Sequence, residues 1–242
     1  MLKISPDNTK LLSICCTFRR PTMLIDMLKT HYTTRSDDTQ ILIYLHDDDP
    51  YLDGYKKYIN DHNHIIDRHR NMQEVINHVV FDLYPNIEYY QIICDDHLYR
   101  TRMWDKILVN RFVEKSNGWG FCCGRDLING DNWHMFQHPS AEIWSWKMAK
   151  TLGYVYPRKF EHQGFDYYAK DLGLSINGLV FVPEVVIEHL WYAGCGKEPD
   201  ENIKEKYSDE AYKRAMRALD YWKSNEKSIA LKNIKKARME EL

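Results

Sequence analysis

Residues 89–97 read Tyr-Tyr-Gln-Ile-Ile-Cys-Asp-Asp-His. The first six, Tyr89–Cys94, carry aromatic and β-branched side chains and no charge. That pattern marks a strand buried on both faces, the kind found in a parallel sheet. It stops at two carboxylates and an imidazole. Two upstream runs repeat the design. Leu11–Thr17 (LLSICCT) follows a Pro-Asp-Asn turn signal and leads into Phe18-Arg19-Arg20. Gln40–Leu45 (QILIYL) is stopped by His46-Asp47-Asp48-Asp49-Pro50.

Helical spacing fills the intervals. Thr22–Lys29 opens behind Pro21, with Met23, Leu24, Met27 and Leu28 on one side. Asn71–Tyr84 has Met72, Val75, Ile76, Val79, Val80 and Leu83 on one side and ends at Pro85. Met103–Val113 reads as a third helix and Trp119–Cys123 as a fourth strand. The resulting β-α-β-α-β-α-β rhythm predicts an α/β fold with a mostly parallel sheet flanked by helices. In such sheets ligands collect beyond the carboxyl ends of the strands. The acidic strand ends are therefore expected to meet in one crevice.

The second half is less regular. Ser140–Leu152 and Phe165–Leu172 read as helices. Leu179–Ile187 reads as a strand that Pro183 interrupts, hence an edge or bulged one. From Asp209 onward Gly and Pro are absent and Ala, Lys and Arg dominate, predicting a long helix or a helix pair. Tyr212–Arg238 holds 9 Lys/Arg against 2 Asp/Glu. This places a domain at 1–198 and a basic helical extension at 199–242.

Composition narrows the classes. The chain has 242 residues, 44% hydrophobic and 28% charged, which suits a globular protein with a real core. Net charge is −2, so the whole is no polycation for nucleic acid. No apolar run reaches the ~18–20 residues of a membrane span, and Met1–Lys10 has no secretory pattern. The six cysteines include two adjacent pairs and no Cys-x-x-Cys, poor spacing for zinc or a disulfide framework. A reducing, cytoplasmic location is expected.

Candidate chemistry lies at the strand ends. One carboxylate of Asp95-Asp96 can bind a divalent cation while the other holds a sugar hydroxyl; a solvated acidic turn is the plain alternative. Oxygen ligands suit Mg²⁺ or Mn²⁺, and a nearby imidazole favours Mn²⁺. Asp47-Asp48-Asp49 can meet a cation, a uracil N–H or a ribose hydroxyl, or form a cap before Pro50. Arg19 and Arg20 can bind phosphate, stack on a base or form surface ion pairs. His189 is either a packing residue or a nitrogen ligand. Glu161 and Asp166 are helix caps or a general base. No P-loop, dinucleotide fingerprint or nucleophile elbow is present.

Taken together, Ile14-Cys-Cys-Thr-Phe-Arg-Arg-Pro21, Asp47-Asp-Asp-Pro50, Cys94-Asp-Asp-His97 and Val186-Ile-Glu-His189 resemble the GT-A-fold glycosyltransferases, family-2-like members of the bacterial and phage kind. Arg100–Trp104 and Thr151–Pro157 add to the likeness, which spans roughly 10–192. The resemblance implies a GT-A-like, Rossmann-like fold and a metal-dependent transfer of sugar from a nucleotide-diphosphate donor to an acceptor hydroxyl, with inversion. It implies Mn²⁺ or Mg²⁺ held by Asp96 and His189. Asp95 falls at the ribose or sugar, Asp48 or Asp49 at the nucleobase with Thr17, Phe18 and Arg19 around it, and Asp166 at the catalytic base. Gly124–Leu127 through Trp133-His134, including Asp126, falls where donor-sugar or acceptor contacts lie. His97 stands where an acidic residue is often found, and Phe165 where a Glu usually precedes the base.

Two rival readings use the same crevice. A non-catalytic nucleotide- or carbohydrate-binding module needs no base. A sugar-phosphate nucleotidyltransferase wants a Gly-rich loop after the first strand, and Phe18-Arg19-Arg20-Pro21 has no glycine. Glycan, lipid-linked sugar, protein and modified DNA base all fit as acceptors, and the basic C-terminal stretch admits DNA or a membrane surface.

Overall fold

The computed structural model describes residues 4, 8–60, 62–68, 70–127, 139–161, 163–190, 204 and 208–241. β1 (Leu11–Cys16), β2 (Thr39–His46), β3 (His64–Asp67) and β4 (Tyr89–Cys94) form a parallel block. β7 (Ile143–Ser145) lies antiparallel between β4 and β6 (Phe121–Arg125), and β8 (Leu179–His189) runs parallel to β6. β5 (His97–Tyr99) closes the order β3-β2-β1-β4-β7-β6-β8-β5, antiparallel to β8. The fold is α/β and of the GT-A-like, Rossmann-like kind, its sheet mixed through β5 and β7. Strands β1, β2, β4, β6 and β8 share one direction, so their carboxyl ends lie on one rim.

Side-chain alternation builds two cores. Leu12, Ile14, Leu42, Tyr44, Tyr90 and Ile92 face one layer, with α3 (Met72–His78), α5 (Trp146–Leu152) and α6 (Phe165–Ser175). Leu11, Cys15, Ile41, Ile43 and Ile93 face the other, with α1 (Pro21–Thr34), α2 (Leu52–Ile59) and α4 (Trp104–Ser116). Such strict alternation is what period-two strands buried on both faces must show. The basic C-terminal stretch forms a helix pair, α7 (Asp209–Asn225) and α8 (Lys227–Glu240). Its Trp222 and Ile234 belong to the first core, so the pair packs on the same body as the sheet. The proposed division at 198/199 lies outside the described residues, as do 1–3 and 5–7 of the amino-terminal stretch.

Several local expectations are revised. The first part of 140–152 is strand, because Ile143 pairs with Gln91 and Cys122 before Ser145 caps α5. The helix expected over 71–84 is α only as far as His78 and continues as a π-helical turn, Val79–Leu83. α2 and β3 occupy a stretch with no predicted element. β8 is bulged, as Pro183 demands, but it is no edge, since β6 and β5 flank it. Its register jumps from Gly124↔Val182 to Arg125↔Val186. Gly124 permits that bulge: a Cβ there would stand 2.7 Å from the Val185 carbonyl oxygen.

Candidate active site

The shared rim collects side chains from five strand ends. Thr17 follows β1, Asp49 lies beyond β2, Asp95 and Asp96 follow β4, Asp126 follows β6, and His189 ends β8. Thr17 Oγ1 donates to Asp95 Oδ2 at 2.6 Å and shares a 3.0 Å hydrogen bond with the Tyr55 hydroxyl. The same hydroxyl accepts the Arg20 N–H at 2.6 Å. Arg20 Nη1 stands 3.4 Å from Asp95 Oδ1 and 3.4 Å from Asp96 Oδ2.

Asp96 and His189, 93 positions apart in sequence, meet here: His189 Nε2 lies 3.4 Å from Asp96 Oδ1. On its other side, His189 Nδ1 is 4.0 Å from Asp126 Oδ2, and its backbone N–H donates to Asp126 Oδ1 at 3.2 Å. The imidazole is thus set between two carboxylates, an arrangement that fixes a ring's orientation for ligation. Asp126 acts here on His189. His97, paired with His189 across the β5–β8 ladder, stacks on its ring at 4.5 Å.

The electrostatics sort the two imidazoles. Burial drives the His97 pKa down, and the neighbouring His189 charge lowers it further, to about 3, so His97 is neutral. Burial also disfavours charge on His189, but Asp96, Asp126 and Asp166 outweigh it and hold its pKa above the ordinary value. Burial raises the Asp96 carboxyl, yet His189, His97 and Arg20 bring it well below the usual carboxylate range. Asp95, Asp96 and Asp126 thus meet the Arg20 guanidinium and the His189 imidazole at one point of the rim.

These residues fit a divalent cation. Among the described residues His97 Nε2 is buried with no hydrogen-bond partner, and Asp96 Oδ1 has only the His189 imidazole, at 3.4 Å. Buried polar atoms without a partner are costly and call for a ligand. Cys94, Asp96 and His97 each offer one ligand atom, and these lie within 4.8 Å of one another. A carboxylate beside an imidazole and a thiol is a donor set that divalent cations accept.

The segment beyond β1 shapes a second part of the rim. Arg19 has φ 62°, and its guanidinium lies over the Phe18 ring at 4.8 Å. Phe18 in turn packs against His46 at 5.3 Å. Asp49 holds this turn: its Oδ2 accepts the Arg19 N–H at 2.7 Å and its Oδ1 the Tyr51 N–H at 2.8 Å. Asp49 is buried and committed to backbone, whereas Asp48 is exposed at the rim.

Asp166 enters the site from the first turn of α6, behind Gly164 at φ +90°. Its charge acts on His189, on Glu142 and on Tyr156. Glu142 is buried and bonded to the Tyr156 hydroxyl, and burial raises its pKa to about 7. The Tyr156 ring stacks on Phe165, next to Asp166, at 3.9 Å. Glu161 lies away from this cluster, exposed and paired with Arg214 at 3.3 Å. Tyr55 and Glu142 carry no sequence signal that marks them as site residues, and Cys94 and Tyr156 lie in the matching segments without a role of their own. Residues 128–134 of the expected donor or acceptor segment lie outside the described residues.

No protein-family model and no curated protein matches this sequence. Solved structures do. A mannosyltransferase from Pyrobaculum calidifontis, in complex with GDP-Man and Mn²⁺, matches at TM-score 0.62 and 11% identity, over 96% of this chain and 75% of that one. The S. aureus TarS 1–349 fragment, in complex with UDP-GlcNAc, matches at 0.57 and 13%, over 85% and 64%. Glucosyl-3-phosphoglycerate synthase from Mycobacterium tuberculosis, in complex with Mg²⁺ and UDP, matches at 0.54 and 10%, over 81% and 82%. The fold is shared with GT-A-type glycosyltransferases. At these identities the likeness is one of fold.

Proposed function

We propose that this chain is a metal-dependent glycosyltransferase that moves a sugar from a nucleotide-diphosphate donor to an acceptor hydroxyl with inversion. The carrying observation is the 3.4 Å approach of His189 Nε2 to Asp96 Oδ1 at the carboxyl rim, beside the tethered Asp95. Asp96 and His189 would hold the cation, with Cys94 and His97 against them. Bound there, Mn²⁺ or Mg²⁺ would neutralise the charge that builds on the departing diphosphate.

The chain's own groups supply the rest. Asp126 orients the His189 ring. Asp95, fixed by Thr17, faces the ribose or donor sugar. Phe18 and Arg19 offer a flat surface for the base, and Asp48 an acceptor for its N–H. Arg20 lies within reach of the phosphates. Asp166 takes the proton from the acceptor hydroxyl. That oxygen then bonds to the anomeric carbon from one side, while the bond to the diphosphate oxygen breaks on the other. The electron pair leaves with the nucleoside diphosphate, and configuration inverts.

The test uses a panel of nucleotide sugars with Mn²⁺. Donor-dependent protection against heat and slow release of nucleoside diphosphate are expected. Asp166→Asn should keep donor binding and lower release by ~10²–10⁴-fold. No donor binding with Mn²⁺ present would overturn the proposal. Binding with no turnover, and no effect of Asp166→Asn, would leave a nucleotide-binding module in its place.

A further inference from the structure

At the opposite end of the sheet, α8 crosses near the amino ends of β6 and β8. Arg238 Nη1 donates to the Ile176 carbonyl at 2.9 Å, just before β8, and Glu241 accepts from Trp119 Nε1 at 2.8 Å, just before β6. Ala230 and Ile234 turn inward to the core. Ile229, Lys232, Lys236 and Met239 follow the i, i+3, i+7, i+10 spacing of a single helical face, and all are exposed. Ile229 is 59% exposed and Met239 66%, and Leu174, at the end of α6, is 61%.

Beside this face lies an open cleft of about 510 Å³, walled by Leu174, Ile176, Leu231, Ile234 and Met239, with Lys235 and Arg238 on its edge. Charge accompanies the apolar groups. Tyr212–Arg238 has an excess of +7 in a chain of net −2, so the remainder carries −9. Lys223 and Lys227 are absorbed by Asp171, and Arg214 by Glu161. Among the described residues Lys236 pairs with Glu240 alone, at 3.8 Å. Lys213, Arg217, Lys232 and Lys235 make no ion pair among the described residues.

We propose that this face docks the protein on an anionic bilayer surface. Lysines with unspent charge meet the headgroups, and Ile229, Met239 and Leu174 reach past them towards the acyl boundary. Two features favour a bilayer over a nucleic-acid backbone: the apolar anchors interleaved with the lysines, and the apolar cleft at their edge. Because α6 separates Leu174 from Asp166 by about 12 Å of helix axis, docking leaves the crevice open to the aqueous side. The inference stands apart from the transferase reading.

The experiment is co-sedimentation of the full chain with vesicles of phosphatidylcholine alone or mixed with phosphatidylglycerol, at low and moderate salt. Binding is expected to the mixed vesicles only and to fall as salt rises. Replacing Lys232, Lys235 and Lys236 by Gln should weaken it roughly hundredfold, at about 1 kcal/mol per charge. Replacing the same three by Arg should retain it. Both variants should keep the wild-type melting temperature, the substituted groups being exposed. No binding to mixed vesicles, equal binding to phosphatidylcholine alone, or a tighter complex with duplex DNA than with mixed vesicles would overturn the proposal.

Discussion

Two acidic strand ends, Asp47-Asp48-Asp49 after β2 and Asp95-Asp96 after β4, look alike in sequence and are used in opposite ways. Asp49 is buried with both oxygens accepting backbone N–H groups, so its charge is consumed in shaping the Arg19 turn. Asp96 is equally buried, yet among the described residues its Oδ1 accepts no backbone N–H and faces only the His189 imidazole. On the proposed reading, a carboxylate saturated by backbone shapes the rim, and one that faces an imidazole holds the cation.

Four substitutions sharpen or break that contrast. Asp96→Asn removes the charge that faces His189. Mn²⁺ affinity, read by calorimetry, should fall by more than the ~100-fold that loss of an outer partner brings. Affinity within a few-fold of wild type would erase the distinction. Glu142 is a third kind, buried and accepting a hydrogen bond from the Tyr156 hydroxyl. Its folded pKa of about 7 exceeds the ordinary 4.5, so its contribution to stability is full below pH 4.5 and lost as pH rises to 7. The unfolding free energy of the wild type relative to Glu142→Gln should drop by about 3 kcal/mol across that window. A flat difference in urea titrations would show that Glu142 ionises normally.

Asp126→Asn should lower Mn²⁺ affinity ~10–100-fold by loosening the His189 ring; no change would mean that Asp96 alone sets the imidazole. Asp49→Asn should cost about 2 kcal/mol of stability by thermal unfolding, since one backbone N–H loses its acceptor. Its Mn²⁺ affinity should stay near wild type. A loss of Mn²⁺ binding without a loss of stability would place Asp49 in the site after all.

The sequence carries the parallel block well, because β1, β2 and β4 are mostly apolar, uncharged runs ended by polar punctuation. It does not carry β5 or β7, of three residues each, which form only because longer partners offer a ladder. Ile143 and Trp144 fit a helical face as well as a strand, so the pairing with β4 decides. The meeting of Asp96 with His189 is what the family resemblance implies; the residue types alone left His189 open between packing and ligation. The placement of Asp126 behind the imidazole is implied by neither, since it depends on how β8 resumes its ladder. Tyr55, far from any strand end in sequence, enters only because α2 carries it under Thr17.

The excursion in β8 has a consequence of its own. Between Val182 and Val186 the strand spends four steps where β6 spends one, leaving three surplus residues. Three is odd, and neighbouring side chains on a strand point to opposite faces. The detour therefore acts as a parity switch, deciding which face of the sheet receives His189. Deleting or adding a single residue there would leave a respectable sheet with its imidazole aimed at the wrong side.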